Sequence, residues 1–520
     1  MNADRNFSRC AAVFLLFAVS PLSALAAPGG WSLLAVPDAM KDGFLFDLTS
    51  TPGLPTLLTG FETLPGEPIP GFEAEPFDFE AEIYADVEKA SAHKGEGEEE
   101  GDFNPLTEPP LYLHGTAWRR LGDDWEKLTL PEVSHYWSLY AVDVGADGST
   151  WLVGKDFNIE VVVVNEGGIA LEGDYDGELL GGFSGSNAIA LTFGVDEAPT
   201  LRRGPDASLA SAVAARNESE AYIADLAGIY FVSGDSWELL PAPPLTAIFA
   251  LAPGGPGELL VAGALDAVGA IARWDGIAWM QETLPSMDGD WQVHALAAIP
   301  DEEVWAVGCA INLDDTYRGV VLRHDGTSWV EETLPAAGTN WYLVDVSAPE
   351  PGRAWAIGKD FATDCGLVLR RDGGGWIQES LPPSTGSCSL ASVSFSDTST
   401  GIIAGYDEVE ARPLLLQYAA AFHTADTDRS LALSLSELLR VVQLYNAEAH
   451  HCASTPGATE DGFEPGADED AENCDPHDAD YLPQDWVLSL SELLRVIQFF
   501  NAKGYLPCAP GEDGFCAEVL

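Results

Sequence analysis

Positive charge is what this 520-residue chain has least of: 24 Lys and Arg stand against 83 Asp and Glu, for a formal charge of -59. A surface of that sign repels phosphate backbones and anionic lipid, which excludes nucleic acid as a partner and favours calcium and basic proteins. Methionine is also scarce, at 4 residues, and the 8 cysteines include no C-x-x-C pair, which argues against a zinc site or a thioredoxin-like redox centre. No stretch after residue 26 is apolar enough to span a bilayer. The sequence contains no G-x-S-x-G, H-E-x-x-H or Walker pattern, so none of those catalytic devices is in play.

The one long apolar run is AAVFLLFAVSPLSALA at residues 11–26, preceded by Arg5 and Arg9 and ending in Ala24-Leu25-Ala26. That pattern predicts a cleaved secretory signal over residues 1–26 and a secreted, extracellular or surface-associated product. The remaining cysteines fit an oxidising compartment. Cys452, Cys474, Cys508 and Cys516 allow two bridges in three pairings, while Cys309, Cys365 and Cys388 leave one thiol over. Residues 27–109 form an N-terminal segment with an acidic linker, in which Glu96 to Asp102 repel one another and carry no apolar face.

Residues 110–420 repeat. Copies begin with WQVHALAAIPDEEVWAVG at Trp291 and WYLVDVSAPEPGRAWAIG at Trp341, and continue with VVLRHDGTSWVEETLP or LVLRRDGGGWIQESLP. Each copy reads as four short strands with an Asp-Gly turn before the last. One such sheet cannot bury both faces alone, and radial stacking of several predicts a mainly β fold, a β-propeller. Six units start near Trp137, Ser184, Leu245, Trp291, Trp341 and Ser389. Residues 110–131 either complete a seventh blade with the segment from Trp31 or close the ring against the last blade, so six or seven blades are expected. Trp279, Trp329 and Trp376 follow the turn at a fixed place and predict packing between sheets. The D-G-x-x-W element resembles the Asp-box of sialidase-like secreted propellers, although aspartate and glycine are adjacent here. In that family the box is a structural turn, so the resemblance implies no catalytic group.

A second duplication is nearly verbatim: LSLSELLRVVQLYN at Leu433 to Asn446 and LSLSELLRVIQFFN at Leu488 to Asn501, each followed by a D-G-F turn. Upstream of the first helix, twelve residues fit the oxygen-ligand spacing of an EF-hand calcium loop: Asp426, Asp428 and Ser430, the carbonyl of Ala432, Ser434, and Glu437 at the twelfth position. Leu431 stands where glycine normally permits the turn, and would be strained there. Counting back from Glu492 in the second copy starts the loop at Tyr481 and leaves only Asp485, Ser489 and Glu492, with Asp478 and Asp480 just outside it and able to substitute only by a different backbone path, so calcium is expected in the first loop and not in the second. Leu438, Leu439, Val442 and Tyr445, with Leu493, Leu494, Ile497 and Phe500, form apolar stripes expected to pack on each other. Arg440 and Arg495 are placed to face a partner. The tandem, residues 421–520, resembles a dockerin, which implies a small α-helical calcium-binding module and a cohesin-like surface protein or extracellular polysaccharide as partner. Together the readings predict a non-catalytic binding or scaffolding protein; the alternative is a carbohydrate-active hydrolase or lyase.

Overall fold

A computed structural model describes residues 30–65 and 111–517, apart from residue 42 and short stretches of the second range such as 171–178 and 508–512. The expected signal and the acidic linker lie outside the described residues. Among those described, seven four-stranded antiparallel sheets are formed. Their innermost strands pack in succession, and that of the last sheet returns to that of the first, closing the ring of a seven-bladed β-propeller.

Blade 1 resolves the question of residues 110–131. Strands Leu111–Leu121 and Asp124–Lys127 join Gly43–Thr49 and Leu57–Pro65 in one sheet. Trp31 lies elsewhere: Gly30–Leu33 pairs with Arg412–Ala419 and becomes the outer strand of blade 7. The N-terminal strand thus fastens the last blade, with Trp31 buried against Phe395 and Tyr418. No unit begins at Ser184. Asn187–Phe193 and Thr200–Asp206 are the outer strands of the blade that starts at Trp137, interrupted by a separate three-stranded sheet over Ile159–Asn165, Gly168–Ala170 and Leu179–Phe183. Blade 3 starts instead at Ala212.

Two small-residue rules build the repeat. The inner strand of every blade carries a bulge or register shift, and in six of them a second-strand glycine lies against it; a Cβ on Gly60, Gly154, Gly263, Gly308, Gly358 or Gly405 would overlap an inner-strand carbonyl. Between blades, Trp137, Trp291 and Trp341 at the start of an inner strand rest on Gly115, Gly269 and Gly319 of the preceding blade, where a side chain would collide with the indole. The tryptophans after the turn also pack between blades, as expected: Trp376 meets Trp305 of the preceding blade edge to face.

After blade 7 the chain forms two α-helices, Leu435–Asn446 and Leu490–Ala502, which pack on each other in a core continuous with that of the last blade. Each begins with a capping box, Ser434 with Glu437 and Ser489 with Glu492. Of the predicted stripes, Leu493 is buried and Leu438, Val442, Tyr445, Ile497 and Phe500 pack against the module's core. Val441 and Leu444, with Val496 and Phe499, are the fully buried residues, while Leu439 and Leu494 point outward. Cys452 and Cys474 are disulfide-bonded, and Cys516 is also in a disulfide; Cys309, Cys365 and Cys388 are free thiols.

Candidate functional site

The two loop-helix units cross. Each loop is closed by the strand that follows the other unit's helix, which relates the units by a pseudo-twofold axis. Tyr505, after the second helix, donates its backbone N–H to Leu431 O at 3.0 Å and its hydroxyl to Asp426 Oδ2 at 2.6 Å. His450, after the first helix, donates its backbone N–H to Trp486 O at 3.0 Å and holds Nε2 3.7 Å from Asp480 Oδ2. On the axis, Thr424 N donates to Asp478 Oδ2 and Asp478 N to Thr424 Oγ1, both at 2.7 Å. Asp480 is therefore the counterpart of Asp426, and the second loop is one residue longer than counting back from Glu492 places it. Its start falls at Asp480 and not at Tyr481.

In the first loop Asp426, Asp428 and Glu437 bring carboxylate oxygens within 4.8 Å of one another, with Asp426 and Glu437 buried and Asp428 exposed. Leu431 takes the left-handed conformation the loop demands, at φ 58°, and buries its side chain. Ser430 and Ala432 meet each other, Oγ donating to the Ala432 carbonyl at 2.9 Å. Ser434 is the N-cap: its Oγ accepts from Glu437 N. Glu437 itself organises the loop. Its Oε1 accepts from the N–H groups of Thr427 and Asp428 and the Thr427 hydroxyl, and its Oε2 from Ser434 N. Burial alone would raise its pKa, but those donors outweigh it and hold the carboxyl below the usual range. The donor set is hard oxygen, as calcium requires, with Oε2 the glutamate oxygen that keeps a free lone pair.

The second loop repeats the arrangement with fewer acids. Glu492 accepts from Tyr481 N, Leu482 N and Ser489 N, while Asp480 accepts from Asp485 N and Trp486 N. Leu482 stands where the first loop has Asp428. Burial pushes Asp480 up to about 6. Beneath both loops His423 and His477 are fully buried and accept from the N–H two residues on, at 3.1 and 3.0 Å, so each carries its hydrogen on Nε2. Burial lowers both to about 3 and keeps them neutral.

Arg440 and Arg495, expected to face a partner, are spent internally. Arg440 makes a bidentate pair with Asp461 and donates to Phe463 O; Arg495 does the same with Asp513 and Phe515 O. This is why the D-G-F turn is duplicated with the helix. The surface the module leaves open is apolar: Leu435 and Leu439 are 60% and 56% exposed, and their counterparts Leu490 and Leu494 are 59% and 49% exposed.

In the propeller the inner-strand bulges present Phe46, Tyr140, Phe249, His294, Val344 and Ala391, all partly exposed, and rings of neighbouring blades touch: Phe46 with Tyr140, Phe249 with His294. Asp47, Asp143 and Asp345 accept the N–H of Val142, Ala215 and Val393, each in the next blade, at 2.9, 2.8 and 2.7 Å. The arginines are engaged at the outer strands, as the sequence suggests: Arg323 with Glu303 and Glu332, Arg371 with Glu332, Arg273 with Glu258 and Glu282. None converges with an acid pair on the axis among the described residues.

The chain belongs to the class of seven-bladed β-propellers. No protein-family model and no curated protein matches it. Among solved structures it is similar to YCF48 from Cyanidioschyzon merolae (12% identity, TM-score 0.44, 75% of this chain and 99% of that one) and to the WD40 repeats of RRP9 (10% identity, TM-score 0.44, 76% and 99%). It is also similar to Trypanosoma rangeli sialidase (10% identity, TM-score 0.35, 82% and 60%). Likenesses of this size carry nothing about activity.

Proposed function

We propose that this is a secreted or surface-associated, non-catalytic binding or scaffolding propeller, attached through a dockerin-like, calcium-binding C-terminal module. The observation that supports it most is the crossed pair of loops. Three carboxylates meet in the first, and the helices that leave the loops carry two equivalent exposed leucine pairs instead of a chemical site. Asp426, Asp428 and Glu437 would hold calcium, with Ser430, Ala432 and Ser434 beside them; the ion would supply positive charge that relieves repulsion among buried carboxylates. The leucine pairs suit a protein partner of the cohesin kind better than a polysaccharide, since an apolar pair buries against apolar surface.

Calorimetric titration of the full chain with calcium tests this, read against Asp426→Asn/Glu437→Gln and against a control that removes the exposed acids Asp468 and Asp470. The expected result is one site abolished by the first variant and kept by the second. At a calcium concentration 100 times its Kd the wild type gains about 2.7 kcal/mol of stability. Equal binding by all three proteins would show diffuse attraction to a -59 chain and remove the site.

A further inference from the structure

The seam where blades 6, 7 and 1 meet contains an arrangement whose hydrogen-bond count does not close with ordinary charges. Ser392, on the inner strand of blade 7, places its hydroxyl 2.8 Å from Asp47 Oδ1 of blade 1 and 2.9 Å from Asp345 Oδ2 of blade 6. The N–H of Leu48 also points at this hydroxyl, at 3.3 Å. Ser392 is 2% exposed, so its hydroxyl meets these groups away from bulk water. A serine hydroxyl has one hydrogen and two lone pairs. The hydrogen goes to one carboxylate, while the single Leu48 amide hydrogen is shared between this hydroxyl and the nearer Asp47 Oδ1 at 2.9 Å. A lone pair then faces the other carboxylate at under 3 Å, which is repulsive unless that group brings a proton.

We infer that Asp47 and Asp345 share a single proton through Ser392, forming a clasp across the ring seam that loosens as the medium becomes alkaline. One proton fits and a second does not: Asp47 Oδ1 already accepts from Leu48 N, its Oδ2 accepts from Val142 N, and Asp345 Oδ1 accepts from Val346 N. The titratable groups nearest the pair on the packed inner strands are Asp143 of blade 2, a carboxyl that burial raises to about 7, and His294 of blade 5, which burial keeps neutral while Nδ1 donates to Leu343 O. The cations of the packed strands are held elsewhere: Lys359 by Glu408 and Asp364, Arg353 by Glu350, Arg370 by Glu379, Arg318 by Glu331, and Arg323 and Arg371 by Glu332. Arg412 is exposed at the start of its strand. Of the acids on those strands, Glu62 pairs with Lys127, Glu303 with Arg323, and Asp407 accepts from its own turn.

The electrostatics agree. Burial raises Asp47 to about 6, and burial together with the Asp47 charge raises Asp345 to about 7. An unfolded aspartate titrates at about 3.9, so the folded chain binds the proton more tightly. The contribution is therefore full below about pH 4 and is lost as pH rises through about 7.

Infrared difference spectra of carboxyl-labelled protein at pH 6.5, wild type minus Asp345→Asn, test the clasp. Whichever aspartate carries the proton, the expected difference contains one protonated carboxyl band, because the asparagine amide then donates to Ser392 and Asp47 ionises. A difference holding carboxylate bands alone overturns it. Should Asp345→Asn not fold, amide exchange of the wild type decides: protection of Leu48 and Val393 relative to the inner strand of blade 4 falls about tenfold between pH 6 and 8.5, whereas an unchanged ratio refutes the clasp.

Discussion

Gly358 faces the carbonyl of Tyr342 across the inner-strand bulge of blade 6, and nothing larger than hydrogen fits between them. Gly358→Ala must push the two inner strands apart, so it is expected to lower stability by about 1–3 kcal/mol, read as a shift of the urea midpoint. Gly375→Ala, where a Cβ meets open space, is the contrasting case: its φ of 154° leaves backbone strain but no collision. The bulge glycines were legible as the final letter of VWAVG and AWAIG, although the reason for them was not. A repeat shows that a residue recurs; the carbonyl that excludes a methyl group comes from another strand. Leu431 makes the same point from the other side. The missing glycine is visible in the sequence, and the loop turns through positive φ regardless, because the leucine side chain is buried in the module's core.

The two helices share a start and a stop. Both are capped by serine, and the residues that turn the chain after them, Glu448 and its counterpart Lys503, both take the left-handed conformation, at φ 60° and 62°, where glycine is the ordinary choice. Lys503 is exposed, so Lys503→Gly removes strain without removing packing and is expected to raise the midpoint of thermal unfolding by the equivalent of about 0.5–1 kcal/mol. A lowered midpoint would show that the lysine side chain contributes more than its backbone costs. At this scale the periodic pattern located the helices and most of their packed face, and erred at Leu439 and Leu494, which are exposed. Leu439 satisfies helical spacing as well as Val441 and Leu444 do; only the crossing of the two units decides that it turns outward while they are fully buried. The same crossing places Asp480, and not Tyr481, at the head of the second loop.

The ring is closed by a strand from the far end of the chain. Trp31 is buried between blades 6 and 7, donates its indole N–H to Glu379 Oε2 at 2.6 Å and touches Phe395 and Tyr418. Trp31→Ala is expected to cost about 3–5 kcal/mol, measured by denaturant unfolding, with exchange in Cys388–Asp397 and Arg412–Ala419 rising before that in blade 4. A uniform rise across all blades would mean that the propeller opens as a unit and not at this seam. Composition, repetition and spacing determined, by themselves, a strongly acidic chain, a β-propeller of six or seven blades and a duplicated loop-helix tail carrying Asp426, Asp428 and Glu437. These are local or periodic properties, written in each copy. Blade number, the partner of Trp31, the internal use of Arg440 and Arg495, the crossing of Tyr505 onto Asp426 and the meeting of Asp47, Ser392 and Asp345 were decided only in the tertiary structure. Each joins residues tens to hundreds of positions apart, and no window along the chain contains both members of such a contact.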